Sequence, residues 1–489
     1  MRALVRVLAV FAALAGLSLL ALADGVDAAP GLTPAKPNVV VVLTDDEPAL
    51  DGRLMRYMPN ARALLRDAGI RFTDFHVETS LCCPARAGYL TGQHSHNHGV
   101  TRNVAKIFDP RMTLATALDD AGYHTALLGK YYNQYGRIAP VVPPGWDHWA
   151  AFGDARYYDY ELWVDGAARA EVHGRTAEDY STDVIAAKAV EVIEQAPSGE
   201  PLFLWLAPNA PHAPTWEVAP RYAKTACNVP RWRPPNWNEL NVTDKPAYVQ
   251  RRHVIDGPGT KLVALCRQLL GVDDLIGDVR DALDAKGRLE NTIFVYLGDN
   301  GYFQGEHRIA TGKAAPYVSE VPAYLAWPAG LGSKPRVISE RLMNIDLAPT
   351  ICELAGCTLG PFPNGQTRPD GLSFAGLLLG TATSVGRDAV LEQMIEVASP
   401  LDSPYGAVVT TSLSSLGEWH YIEYANGDRE LYDISNGPCW AWNRSLPGDP
   451  CRLTNRARFR SSGPLIDALH DRLLELRAEY GGPGTTRTD

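Results

Sequence analysis

The sequence predicts an α/β fold, a sheet covered by helices on both faces, followed by a smaller C-terminal α+β domain. Three observations carry that expectation. Continuous apolar runs recur at Asn38–Thr44, Pro201–Leu206 and Thr292–Leu297, and runs without polar alternation suit strands buried on both faces. Amphipathic segments lie between them, which is the alternation of an α/β sheet. Beyond Leu379 the texture changes to shorter pieces.

Taken in order, Pro37 leads into the first strand, which ends in Asp45-Asp46-Glu47. Met58–Ala68 sets Ala61, Leu64 and Leu65 on one helical stripe, and Asp273–Leu283 does the same with Leu275, Ile276, Val279 and Leu283. In the C-terminal part, Ala389–Leu391, Ala407–Thr411 and Trp419–Tyr424 read as short strands, and a last helix runs from about Pro464 to Ala478. The expected division is a leader at 1–28, a main domain at 36–380, a C-terminal subdomain at 386–480 and a disordered tail at 481–489.

The leader carries Arg2 and Arg6, an apolar run from Val7 to Leu22, and small residues ending at Ala28-Ala29. That is the pattern of a secretory signal cleaved near Ala28; the alternative, a membrane anchor, wants a longer apolar run. The expectation is an exported, soluble protein without stable membrane insertion. Apolar residues at 46% and charged residues at 21% are ordinary for such an enzyme. The 46 basic and 56 acidic residues give a net charge of −10, with no basic run, which argues against nucleic-acid binding. An anionic substrate would have to be held by a few local cations.

Export permits disulfides. Of eight cysteines, Cys352 and Cys357 are five apart, Cys439 and Cys451 twelve apart, and Cys227 and Cys266 form a third candidate pair. Spacing does not fix connectivity. Cys82 and Cys83, adjacent in LCCPARAGYLTGQ, are then a buried thiol pair, disulfide halves, metal ligands or something else.

Ligands of open α/β sheets gather outside the carboxyl ends of the strands. Asp45 and Asp46 follow the first strand, and Asp299, Asn300 and Gly301 follow the third. Three carboxylates and an amide at one edge suit a hard cation, Ca²⁺ or Mg²⁺, rather than zinc. Singly, each cluster also reads as a cap on the next helix. His212, among prolines after the second strand, suits proton transfer, although a loop histidine is more often merely exposed. Lys130 and Lys313 each follow a glycine in weakly charged segments, where solvated surface is the plainer reading. Arg231, Trp232, Arg233 and Trp237 lie in a proline-rich loop that reads either as a sugar-stacking rim or as a packed loop.

Cys82-Cys83-Pro84-Ala85-Arg86 with Leu90-Thr91-Gly92 resembles the signature of the type I, formylglycine-dependent sulfatases. The resemblance extends over the mature chain. Its closest branch is that of the N-acetylglucosamine-6-sulfatases and extracellular heparan sulfatases, through His96-Asn97-His98, Gly129–Gly136, Pro143–Asp147 and Val272–Leu275. It implies an alkaline-phosphatase-like large mixed sheet sandwiched by helices. It also implies that Cys82 is oxidised to formylglycine by a formylglycine-generating enzyme, and that its hydrate attacks sulfur to give a covalent sulfo-enzyme. Asp45, Asp46, Asp299, Asn300 and residue 82 would hold Ca²⁺. Arg86, Lys130 and Lys313 would anchor the sulfate, and His212 would protonate the leaving alcohol. The implied substrate is a sulfated small molecule or oligosaccharide resembling 6-O-sulfated glucosamine. Arg231, Trp232 and His307 are its candidate contacts.

Departures are Ala85 where serine is common, Tyr132 where many sulfatases carry a histidine, and Phe303 where a histidine is usual. Two further readings stay open at this point: a phosphonate monoester or phosphodiester hydrolase sharing the motif, and a non-catalytic carbohydrate-binding relative.

Overall fold

The computed structural model describes residues 36–257 and 262–481. The expected leader, and the tail from 482 onward, fall outside the described residues.

A 10-stranded mixed sheet organises the larger part of the chain, and its centre is parallel. Thr292–Gly298, Asn38–Thr44, Leu202–Ala207, His124–Gly129 and His148–Phe152 lie side by side in that order, all parallel. Antiparallel neighbours extend both flanks: Ala323–Ala326 beside Thr292–Gly298, and Tyr160–Val164 beside His148–Phe152. The three strands expected from apolar runs are present, each shifted by no more than one residue.

Side chains alternate across the first strand. Val39, Val41 and Leu43 enter one apolar layer, with the helices Cys82–Thr91, Leu114–Asp120 and Leu347–Ala355; Val40 and Val42 enter the other, with Ser181–Gln195 and Leu262–Ala285. Every residue of Asn38–Thr44 is buried, as the run without polar alternation requires.

Two helix expectations are corrected. Met58–Ala68 is one α-turn, Pro59–Ala61, continued by a π-turn, Arg62–Arg66. The helix expected from Asp273 begins eleven residues earlier, at Leu262, and runs to Ala285. Asp273 caps another helix: its Oδ1 accepts the Ala61 N–H at 2.8 Å and its Oδ2 the Asn60 N–H at 3.2 Å.

The C-terminal sheet is four-stranded and antiparallel, ordered Ala389–Met394, Tyr405–Thr410, Trp419–Tyr424, Arg429–Asp433. Helix Gly463–Glu479 covers it, packing Ile466, Leu469, Leu473 and Leu476 against Leu391, Val408, Tyr421 and Leu431. Residues from Lys36 onward make one compact unit. The disulfides are Cys227–Cys266, Cys352–Cys357 and Cys439–Cys451, and Cys82 and Cys83 are free and buried.

Candidate active site

Register brings the candidate residues level. Thr44 lies opposite Gly298, and Gly129 opposite Ala207. Beyond these ends the ladder gains one more rung. The Asp299 N–H donates to the Thr44 carbonyl at 2.8 Å, the Lys130 N–H to the Ala207 carbonyl at 2.7 Å, and the Asp45 N–H to the Ala210 carbonyl at 3.1 Å. Main-chain bonds therefore fix where these three side chains start. Gly129 is a backbone requirement: its φ is 113°, and a Cβ there would stand 2.2 Å from the Ala207 carbonyl oxygen. Asp46 has a φ of 59°, an unfavourable conformation for a non-glycine residue of the kind that gathers at functional sites.

Helix Cys82–Thr91 begins at this edge, is buried throughout and ends on Gly92 in the left-handed region. It delivers Cys82 and Arg86, one turn apart, to the carboxylates. Arg86 Nε donates to Asp299 Oδ2 at 2.9 Å and Nη1 to the Lys130 carbonyl at 2.7 Å. Lys130 Nζ donates to Asp45 Oδ2 at 2.5 Å. Lys313 Nζ reaches Cys82 Sγ at 2.7 Å and also bonds Asp46. His212 is the half-buried member; its Nδ1–H donates to the Ala213 carbonyl at 2.7 Å, which turns Nε2 toward Asp46 Oδ2 at 3.4 Å.

Alternating charge makes this buried cluster tolerable. Burial pushes the Asp45 carboxyl up, but Lys130, His212 and Arg86 overcome it and hold the group at about 2. Burial works against the charge of Lys130, which Asp45 restores and raises above the ordinary lysine value. The Cys82 thiol is pushed up by burial to about 11, despite the pull of Lys130 and Lys313. An unmodified Cys82 is therefore a protonated thiol at neutral pH and a poor nucleophile.

The residues present fit a hard cation. Ligand atoms of Asp45, Cys82 and Asp299 lie within 4.8 Å of one another, as do those of Asp45, Asp46 and His212. Asn300 spends its Nδ2 on Asp46 Oδ1 at 2.7 Å, while its Oδ1 is buried with no donor. A buried carbonyl oxygen without a donor, beside converging carboxylates, is what a Ca²⁺ or Mg²⁺ site supplies.

All of Asp45, Asp46, Cys82, Arg86, Lys130, Asp299, Asn300, Lys313 and His212 are thus joined by contacts at one edge. Of the candidate substrate contacts, Trp232 lines a pocket with Pro48 and Tyr302, each two residues from Asp46 or Asn300. Arg231 is exposed, and its carbonyl accepts from Arg53 at 3.5 Å. Trp232 stacks under Arg53 at 4.6 Å and donates Nε1–H to Glu306. His307 is fully buried, with Nδ1 2.7 Å from Glu239 and Nε2 3.3 Å from Asn236. Its position is interior rather than on a rim, because both ring nitrogens are taken up by buried partners.

Other positioning groups carry no sequence pattern. Gln268 Nε2 donates to the Pro214 and Glu217 carbonyls, each at 3.1 Å, and Tyr157 Oη–H to the His212 carbonyl at 2.7 Å, so both hold the His212 loop. Cys83 Sγ accepts the Asn133 N–H at 3.3 Å and its own N–H donates to Asn103 Oδ1 at 2.9 Å. It ties the Cys82 helix to the Lys130 segment. The stripe of helix Leu262–Ala285 would have placed Gln268 on an inward face had that helix been read at full length.

A mixed α/β sheet that gathers carboxylates, an amide oxygen and buried cations at its carboxyl edge defines an alkaline-phosphatase-like hydrolase. The family model for sulfatases matches residues 37–357. Human N-acetylglucosamine-6-sulfatase is 34% identical over 504 residues, covering 93% of this chain and 86% of that protein. Among solved structures, a protein in complex with its substrate D-glucosamine-2-N,6-O-disulfate superposes with a TM-score of 0.70 at 23% identity, covering 93% of this chain and all (100%) of that one. The phosphonate monoester hydrolase of Agrobacterium radiobacter gives 0.66 at 20% identity, covering 91% and 96%. The chain belongs to the sulfatase family and is a sulfuric ester hydrolase.

Proposed function

We propose that the protein hydrolyses sulfate esters on carbohydrate, of the 6-O-sulfated glucosamine type, at the Cys82 edge. The observation that carries this reading is the setting of Cys82: a thiol held at about 11 by burial, yet 2.7 Å from the Lys313 ammonium and grouped with Asp45 and Asp299. A nucleophile is needed there, and the bare thiol is unsuited to it. Oxidised to formylglycine and hydrated, residue 82 would supply an oxygen nucleophile, and Ca²⁺ held beside it would supply polarisation of the sulfate.

The chain's own groups do the rest. Asp45, Asp46, Asp299 and the free Oδ1 of Asn300 would hold the cation. Lys130 and Lys313, with Arg86 behind them, set positive charge where sulfate oxygens gather charge in the transition state. His212, with Nδ1 committed to a carbonyl and Nε2 turned toward Asp46, is the half-buried group at this edge that would pass a proton to the leaving alcohol. The human relative's activity on N-acetylglucosamine-6-sulfate supports the sugar. The apolar leader supports export, and no helix among the described residues is long and apolar enough to cross a membrane.

The likeness to a phosphonate monoester hydrolase keeps one second reading in view. Turnover of N-acetylglucosamine 6-sulfate, a phosphonate monoester and a phosphodiester, each with Ca²⁺ and then with Mn²⁺, separates the two. Sulfate release in Ca²⁺ above both phosphorus substrates is expected. Faster phosphodiester cleavage in Mn²⁺ would replace this reading with the second.

A further inference from the structure

We propose a second carbohydrate site, a groove for a polyanionic polysaccharide chain, between the Pro235–Asn241 loop and the segment Trp442–Ser462. The groove encloses about 970 Å³ and is lined by, among others, Trp237, Leu240, Trp442, Arg444, Arg456 and Phe459.

The segment that forms one wall reverses the molecule's charge, while the lining itself sets Arg444 and Arg456 beside Glu239 and Asp449. Residues 442–462 hold five arginines, at 444, 452, 456, 458 and 460, against the single acid Asp449, in a chain of net charge −10. The acids of the groove are spent inward. Asp449 accepts the Leu453 and Thr454 N–H groups at 2.9 and 2.6 Å, and Glu239 is taken by His307 at 2.7 Å and Lys245 at 3.4 Å. Arg452 is tied to His420, and Arg456 is shared between Asp433 at 3.6 Å and the ring of Trp419. Arg444 stands exposed on the wall, and Arg458 and Arg460, exposed and outside the lining, flank the lining residue Phe459 in sequence. Guanidinium groups match sulfate and carboxylate with paired N–H donors, which ammonium groups do not.

Between the cations lie apolar faces. Leu240 is 89% exposed and Phe459 50%. Rings set among arginines give the C–H face of a pyranose a platform while its sulfates meet guanidinium. The walls are preorganised, which lowers the ordering cost of binding. Cys439–Cys451 staples one side. On the other, the Asn238 N–H donates to the Gly305 carbonyl at 2.8 Å and Trp237 Nε1–H to the Gln304 carbonyl at 3.1 Å. Those carbonyls belong to the segment that leaves Asp299-Asn300, so the groove wall is bonded to the chain that builds the catalytic edge. Sugar rings favour a glycan over nucleic acid only through the sulfatase reading, on which that choice of polyanion rests.

The test uses the full chain carrying Cys82→Ser, so that binding is measured without turnover. Probes are long heparan sulfate chains, the same chains chemically desulfated, and single-stranded DNA. The triple variant Arg444→Ser, Arg458→Ser, Arg460→Ser removes exposed charge only, and a thermal melt checks its fold. Its Kd for heparan sulfate should rise at least about tenfold, with a shallower salt dependence. With Cys82 intact, the triple variant should turn over a monosaccharide sulfate as the parent does and lose rate on long chains. Binding within about twofold of the parent, or equal affinity for desulfated chains, would overturn the groove. DNA bound as tightly as heparan sulfate would overturn the glycan assignment. Should no sulfate ester be hydrolysed while chain binding still depends on the three arginines, the catalytic reading fails and the groove stands.

Discussion

Cys82 decides most at the residue scale. Its thiol is buried, surrounded by charge and protonated, so its reactivity has to come from conversion rather than from a lowered pKa. Cys82→Ser keeps the volume and the contact with Lys313, so its melting temperature should match the parent's while sulfate ester turnover falls by at least about a thousandfold. Comparable turnover in that variant would contradict the proposed role. The site was legible in the sequence wherever a residue follows a readable strand: Asp45, Asp46, Asp299 and Asn300 come directly after apolar runs, and His212 lies in the short proline-rich segment after another. Lys130 does not. Its strand, His124–Gly129, opens with histidine and threonine and carries a small alanine, so composition hides it, and the lysine stands out only weakly, as one following a glycine in a weakly charged segment, until the family motif gives it a role. His307 illustrates the converse, a histidine in a suggestive segment that Glu239 and Asn236 hold in the interior.

Asp273 shows how one acid misleads at the element scale. An aspartate before an apolar stripe resembles a helix start, but here it lies mid-helix and accepts two N–H groups from the first turn at Pro59–Ala61. Sequence spacing cannot show a cap that comes from more than two hundred residues away. Asp273→Ala should cost about 1–2 kcal/mol by urea denaturation, as loss of an N-cap does; an unchanged midpoint would contradict the capping role. The C-terminal sheet carries a pH dependence. Burial, with Arg452, Arg341 and His76, holds His420 well below the ordinary histidine value of 6.5, and Arg452 Nε donates to its Nδ1 at 2.9 Å, which requires a neutral ring. The unfolded chain binds that proton as pH falls through 6.5, whereas the folded one does not. The stabilisation is thus complete above that pH and falls below it, by up to about 1.4 kcal/mol per pH unit. Melting temperatures from pH 7.5 down to about 5.5 should drop more steeply for the parent than for His420→Gln, and equal slopes would refute the assignment.

The whole molecule carries a net charge of −10, and the site sets Arg86, Lys130 and Lys313 among its carboxylates, so anion recognition is local rather than driven by the global field. The sheet order needed the structure: parallel pairing levels four strand ends that lie far apart in sequence, and apolar runs report strands but not neighbours. A cation bound among Asp45, Asp46, Asp299 and Asn300 would stabilise the fold by mass action, by about 2.7 kcal/mol at a hundred times its Kd. Chelation should therefore lower both the melting temperature and the turnover, and added Ca²⁺ should restore both in the parent but barely in Asp299→Ala. Full activity in chelator would remove the cation from the account.

The most direct measurement is the mass of the tryptic peptide Phe72–Arg86 from protein made in its native host. The mass of an aldehyde in place of the Cys82 thiol is expected, in the fraction of molecules that turn over sulfate ester. An unmodified thiol in fully active protein would contradict that conversion.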